Sequence, residues 1–150
     1  MAPNTKGKIF IFFFRLSSIF NKNKILKLLG FPIRAFYKLI FQWFLGIDIP
    51  DRTKIDEGFN MFHGQGLIIS GDTVIGKNVM VRQNTTIGNS KPGEGSPIIE
   101  DNVQIGANCV LIGEIRIGEN SIIGAGSVVV KNVEKNSLVA GNPAKFIRHI

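Results

Sequence analysis

Residues 99–129 read IEDNVQIGANCVLIGEIRIGENSIIGAGSVV, and this stretch decides the fold. Ile99, Ile105, Leu111, Ile117, Ile123 and Val129 fall six residues apart. Upstream, Ile87, Val81, Ile75 and Ile69 keep the same step, and only Gly93 interrupts it. Ile49, Ile55 and Met61 extend the period further, displaced by two residues. Other columns keep time with the aliphatic one. Glycine follows it at Gly76, Gly88, Gly106, Gly118 and Gly124. Three positions after it come Asp72, Asn78, Asn84, Asn102, Asn108, Asn120 and Gly126, and four after it come small or β-branched residues such as Thr73, Val79, Thr85, Cys109, Ser121 and Ser127.

Six-residue spacing with scattered glycine is not a helix period, and the tight Asn-Gly turns of β-hairpins are missing. The pattern describes a flat strand, a corner, and another flat strand. The aliphatic residue points into a shared core, and asparagine or glycine takes the positive φ that a corner demands at least cost. The small residue fills the narrow space beside that corner. Three such faces per coil stack into a triangular prism, a parallel β-helix. At eighteen residues per coil, residues 49–130 give between four and five coils.

The chain has 150 residues, enough for one core. Hydrophobic residues at 44% and charged residues at 19% exclude a disordered chain. A single cysteine, Cys109, excludes an internal disulfide and a zinc ribbon. It also makes a reducing, cytoplasmic location the default expectation. Two histidines, one of them penultimate, argue against a three-histidine zinc site, so no metal is expected.

The net charge of +7 is unevenly spread. Residues 1–47 hold eight of eighteen Lys+Arg, no acid, nine of twelve Phe, and the only Trp and Tyr. This divides the chain into a basic, aromatic-rich helical segment (1–47) and a repeat domain with its tail (48–150). The apolar run around Ile9–Phe20 is shorter than a spanning helix and lacks a small-x-small cleavage site. In Ile25–Leu45, Gly30 and Pro32 should break the chain into two short helices. Phe36, Leu39, Ile40, Trp43 and Phe44 repeat at helical spacing and make one greasy face. Such helices pack on the protein or a partner subunit, or lie on a membrane surface through residues 1–45, and both can hold. No helix-turn-helix, zinc or RNP pattern supports nucleic-acid binding.

The match extends beyond the repeat. The segments Gly46-Ile47-Asp48-Ile49-Pro50, Phe62-His63-Gly64-Gln65-Gly66 and Arg82-Gln83-Asn84-Thr85-Thr86-Ile87-Gly88 resemble the serine acetyltransferase group of the hexapeptide-repeat acyltransferases. So do Ile123-Gly124-Ala125-Gly126-Ser127 and Gly141-Asn142-Pro143-Ala144-Lys145. The resemblance covers about residues 44–147. It implies a left-handed coil, although crossovers between parallel strands are otherwise right-handed. It also implies a homotrimer with sites between neighbouring prisms. Acetyl-CoA would lie past Gly106, Ala107, Gly124, Ala125, Gly126 and Ser127 toward Lys145. Cys109 falls in the small interior column and reads as packing, not as a nucleophile.

In that family an aspartate lies fifteen residues before the catalytic histidine, and Asp48 precedes His63 by fifteen. A hydroxyl is a weak nucleophile at neutral pH, so a base must take its proton as it attacks the thioester. A neutral imidazole suits that task, and a carboxylate behind it would fix the tautomer. A lone histidine is more often a surface residue, and an aspartate beside Pro50 more often a turn residue. The Gly-flanked break in the repeat and the spacing favour the catalytic reading of both.

The departures concern the acceptor. Family members that use serine carry an aspartate before the histidine, and an Arg and a second His before the next coil. Here the residues are Phe62 and Glu94-Gly95-Ser96-Pro97. A carboxylate without a cationic partner is costly to desolvate, so free serine should bind poorly. The short layout is similar to O-acetyltransferases of capsule, colanic acid and lipopolysaccharide clusters, whose acceptors are sugar hydroxyls, often lipid-linked. That implies acceptor contacts from Phe62, Arg82, Gln83 and Ser96, with the Gly88–Pro97 excursion over the acceptor, at the inner face of the cytoplasmic membrane. Serine O-acetylation, amino-sugar N-acetylation and a non-catalytic β-helix remain the alternatives.

Overall fold

The computed structural model describes residues 5–150. Fifteen short strands build three parallel faces. Face one stacks β1 (Ile47–Asp48), β4 (Leu67–Ile69), β7 (Thr86–Gly88), β10 (Val110–Ile112) and β13 (Val128–Val129). Face two stacks β2 (Lys54–Ile55), β5 (Val74–Ile75), β8 (Ile98–Ile99) and β11 (Arg116–Ile117), with Val133 bridged to Ile117 above them. Face three stacks β3 (Asn60–Phe62), β6 (Met80–Arg82), β9 (Gln104–Ile105), β12 (Ile122–Ile123) and β14 (Ser137–Gly141). The last strand, β15 (Ala144–His149), returns antiparallel on β14. The result is a five-coil parallel β-helix. The coil count slightly exceeds the expectation because the repeat begins at Ile47 and runs to Val139.

The register explains the irregularities of the sequence. On face one Ile47 pairs with Leu67, Ile68 with Thr86, Thr86 with Val110, and Val110 with Val128, so the coils run 20, 18, 24 and 18 residues. The two extra residues of the first coil lie at the corner that holds His63, which accounts for the displaced upstream period. The six extra residues of the third coil form the loop between β7 and β8. Because six is one repeat, the aliphatic column resumes in phase after Gly93.

Each face contributes one core column, for example Ile55, Ile75, Ile99 and Ile117 on face two, all nearly inaccessible. Thr73, Val79, Thr85, Cys109, Ser121 and Ser127 are fully buried beside the corners, as their column implies. Left-handed asparagines mark two of the three edges, and the third has positive φ only at Gly93 and Gly113. One edge carries Asn78, Asn102, Asn120 and Asn136, and another carries Asn84, Asn108 and Gly126. At the edge between faces one and two, Asp72 is not left-handed, and a Thr73-to-Ser70 turn makes that corner. The asparagines of the first edge join in a ladder, Asn78 Nδ2 to Asn102 Oδ1, Asn102 to Asn120, and Asn120 to Asn136, at 3.0–3.2 Å.

The N-terminal residues form α1 (Thr5–Ile19), α2 (Lys24–Leu29), α3 (Phe31–Tyr37) and a π-helical segment, Lys38–Phe44. The break comes at Gly30. Pro32 does not break a helix but sits in the first turn of α3, where its missing N–H costs nothing. Phe10, Phe14, Tyr37 and Phe41 are buried and share one core with the first coil. The face of Leu39, Trp43 and Phe44 points outward instead, so this segment is apolar on two sides. Polar bonds fix the helices on the prism. Tyr37 Oη donates to Ile49 O at 2.6 Å, and burial, reinforced by Asp51 and Asp48, pushes its phenol far above the usual value. Asp51 accepts from Ser17 Oγ and Arg34 Nε, each at 2.8 Å. Burial opposes its ionisation, but these bonds outweigh that and hold the carboxyl below its usual value. Arg15 Nη1 caps Ile55 O at 2.5 Å.

Candidate active site

His63 sits at the corner between β3 and β4 with φ 65°, a left-handed conformation uncommon outside glycine. Its neighbours Gly64 and Gly66 are also left-handed, and Gly66 N donates to Gly46 O of the chain entering the first coil. The two-residue insertion thus pushes the imidazole out of the repeat. It opens on a small apolar cavity of about 160 Å³ lined by Ile9, Phe41, Leu45, Ile47, Gln65 and Lys6. Among the described residues the imidazole has no hydrogen-bond partner. Asp48 is exposed on the outer side of β1, next to the cavity residue Ile47, and accepts from Gln42 Nε2 at 3.1 Å. It makes no hydrogen bond to His63.

The remaining residues fall along one line. The edge between faces three and one climbs from the His63 corner through Gln83-Asn84 and Gly106-Ala107-Asn108 to Gly124-Ala125-Gly126-Ser127. Its rungs are tied by Asn84 N to Gln65 O, Asn108 N to Gln83 O, and Gly126 N to Ala107 O. Gly141 to Lys145 turn at the top of the same edge, where Gly141 N donates to Ser127 Oγ at 3.2 Å. With about 4.8 Å per coil, the Ala125 corner stands roughly 14 Å above His63. Gly106 is packed so closely that a Cβ would meet Ala125 N at 2.6 Å, whereas one on Gly126 would point into open space. Gln83 Oε1 on this edge is buried and lacks a partner, which is costly unless a ligand or neighbour supplies a donor.

Phe62 and Arg82 are paired on adjacent strands of face three, with the guanidinium 5.8 Å from the ring centroid. Both therefore lie next to His63. Ser96 does not. The loop Asn89–Pro97 leaves the edge between faces one and two, and Ser96 Oγ lies 3.4 Å from Ser70 Oγ. Within one chain it is separated from His63 by the width of face one. A larger depression of about 500 Å³, lined by Val129, Lys131, Lys145 and His149 among others, lies at the opposite end of the prism. Cys109 Sγ is 3.2 Å from Gly124 O, and burial pushes its thiol up. Such a thiol is an interior packing group, not an activated nucleophile.

The sequence reading did not anticipate Ile9, Phe41 and Leu45 as walls of the His63 cavity, nor Gln42 as the partner of Asp48. The Tyr37–Phe41–Leu45 spacing, four residues each, was the available signal.

Residues 96–131 match the family described as "Bacterial transferase hexapeptide (six repeats)". Serine acetyltransferase 2 of Arabidopsis thaliana is 37% identical over 124 residues, which cover 81% of this chain and 37% of that protein. WcaB of Escherichia coli strain K12, whose name provisionally makes it a colanic acid biosynthesis acetyltransferase, is 34% identical over 125 residues, covering 83% and 77%. The chain thus spans little more than a third of the plant enzyme's length. Among solved structures, soybean serine acetyltransferase apoenzyme superposes with a TM-score of 0.83 at 29% identity, over 96% of this chain and 58% of that one. Serine acetyltransferase of Brucella abortus strain S19 in complex with coenzyme A gives 0.82 at 32%, over 96% and 56%. The coil is left-handed, as in the acetyltransferases it matches. Strands of two or three residues carry little twist, which removes the basis of the right-handed crossover preference. Repeat, corner geometry and relatives agree that this chain belongs to the hexapeptide-repeat acetyltransferases of the serine acetyltransferase type.

Proposed function

We propose that the protein transfers an acetyl group from acetyl-CoA to a sugar hydroxyl during cell-surface polysaccharide synthesis, with His63 as general base. The observation that carries this reading is the single edge that runs from His63 past Gln83, Ala107 and Ala125 to the Gly141–Lys145 turn. An extended pantetheine arm fits such an edge, with the thioester at His63 and the nucleotide near Lys145. The imidazole takes the acceptor hydroxyl proton while the oxygen attacks the thioester carbonyl carbon. The tetrahedral oxyanion then collapses, the C–S bond breaks, and the imidazolium returns the proton to the departing thiolate. Backbone N–H groups of the corners can hold the oxyanion.

The cavity beside His63 has apolar walls, and Phe62 precedes the base. These features suit a sugar bearing an apolar anchor better than the zwitterion of serine. Gln83 Oε1 and Arg82 are the polar groups available to such an acceptor. Serine O-acetylation is the second reading, favoured by the serine acetyltransferase relatives and by Lys6 at the cavity, whose ammonium can pair with a carboxylate. A homotrimer is part of the proposal. Ile68, Val110, Ile112 and Val128 make an apolar stripe on the outside of face one, beside the catalytic edge. Burying it between prisms would bring the Asn89–Pro97 loop and Ser96 of one subunit toward His63 of the next. The work site is the cytoplasmic side of the membrane, where acetyl-CoA is available.

The test is thiol release from acetyl-CoA with a sugar panel, including lipid-linked sugars, against free L-serine. Sugar-dependent release by a trimer, abolished in His63→Ala, is the expected result. Release that depends on serine alone would replace the acceptor, and undiminished turnover by His63→Ala would end the mechanism.

A further inference from the structure

The helical cap carries a surface that neither the core nor the acetyl-transfer reading uses. Helix α2 buries none of its residues, and Ile25 and Leu28 are 72% and 78% exposed. Leu29 and Leu39 are exposed as well, and Trp43 and Phe44 reach 84% and 83%. Bulky apolar groups so exposed on neighbouring helices mark a docking face. Lys22, Lys24, Lys27 and Lys38 stand among them, all exposed and without an ion pair among the described residues. The two arginines of the segment are engaged elsewhere, Arg15 on Ile55 O and Arg34 on Asp51. No acid occurs anywhere in residues 1–47.

We propose that this face lies on an anionic lipid surface, with the apolar side chains in the headgroup–acyl boundary and the lysines on the lipid phosphates. The charge pattern selects the occupant. A second copy would set one lysine-rich, acid-free face against another, whereas an anionic membrane neutralises both the charge and the apolar area. No described helix is long and apolar enough to cross a membrane, so the segment lies on it. The π-helical segment connects this face to the candidate site. Phe41 and Leu45 line the His63 cavity while Trp43 and Phe44 point outward. The lipid plane therefore borders the cavity, and an acceptor held in that plane reaches His63 from its own side. This deepens the acyl-transfer reading by naming where its acceptor resides, yet its test needs no turnover.

Trp43 is the only tryptophan, so its emission reports on this face alone. The full chain is mixed with vesicles of phosphatidylcholine, or of equal parts phosphatidylcholine and phosphatidylglycerol. Cosedimentation and a blue-shifted Trp43 emission are expected with the mixed vesicles, and weakening is expected at roughly 1 M salt, where screening is nearly complete. Leu28→Ser and the pair Lys24→Glu, Lys27→Glu change exposed residues and should keep the far-UV spectrum while losing vesicle binding. Three results would overturn the proposal: no cosedimentation, equal binding to both vesicles, or a blue-shifted Trp43 with doubled assembly mass in the absence of lipid. The last would give the face to a second copy. Failure here leaves soluble-sugar acetylation untouched, and failure of His63→Ala to affect turnover leaves lipid binding untouched.

Discussion

Gln42 and Asp48 join the helical cap to the first strand of the prism through a 3.1 Å bond from the amide nitrogen to the carboxylate. The carboxylate that the fifteen-residue spacing assigns to His63 is thereby held from the π-helical side. His63 itself projects from a corner that the same helices wall.

This arrangement separates the contributions of the two residues. His63→Ala removes the proposed base and should cost on the order of 10²–10⁴-fold in kcat. Asp48→Asn keeps the shape and the Gln42 contact but removes the charge that would stabilise the imidazolium. Its loss should be smaller than that of His63→Ala, because the imidazole itself is retained. Side-by-side measurements of kcat check this, and an unchanged kcat in Asp48→Asn would mean that Asp48 does not act on His63.

The pair Arg34–Asp51 makes cap docking pH-dependent. The Asp51 carboxyl is lowered in the folded state, so its contribution is complete above the unfolded value near 4 and is lost as pH falls through the lower folded value. Asp51→Asn should cost about 3 kcal/mol near neutrality by leaving Arg34 and Ser17 poorly paired. The difference in melting temperature between wild type and variant should shrink as pH falls below about 4. Near-UV circular dichroism of Tyr37, the only tyrosine, follows the undocking directly.

The corners show what the sequence could and could not reveal. The aliphatic column, the buried small column and the left-handed asparagines were legible because each position repeats one steric demand. The coil-length changes were visible only as a two-residue displacement and a single missing aliphatic at Gly93. Their meaning, an imidazole pushed from the edge between faces three and one and a loop at another edge, required the register. The edge from which the loop departs was not legible, because a repeat gives phase along the coil but not which of three edges an insertion leaves. The walls of the His63 cavity include Phe41 and Leu45, about twenty positions away, and Ile9, more than fifty away, all in a segment with no repeat, so no pattern tied Ile9 to His63. The greasy face of the cap was legible, but burial of its opposite side was not.

The asparagine ladder should be a measurable part of stability. Asn102 has φ 59° and bonds both Asn78 and Asn120. Asn102→Ala loses both bonds and keeps a Cβ in a left-handed conformation, for a total of about 2 kcal/mol. Asn102→Gly loses the same bonds without the backbone strain, so it should recover about 1 kcal/mol of that loss. Urea denaturation of the three proteins gives the comparison, and equal stability of the two variants would show that the left-handed corner carries no cost.

Gly126 separates a fold requirement from a substrate requirement. It has φ 71° and occupies the corner column that holds Asn84 and Asn108 in lower coils. Asparagine therefore suits the backbone there, and a Cβ at this position meets nothing within 4 Å. Gly126→Asn should change stability by no more than about 0.5 kcal/mol, as for a surface change without strain. Its side chain, however, projects into the open edge along which the pantetheine arm is proposed to lie. The expected outcome is a raised KM for acetyl-CoA with the fold and assembly mass intact, and a smaller thermal stabilisation by acetyl-CoA than in wild type. An unchanged KM would move the donor off this edge while leaving His63 as the base, because the substitution is three coils from the imidazole.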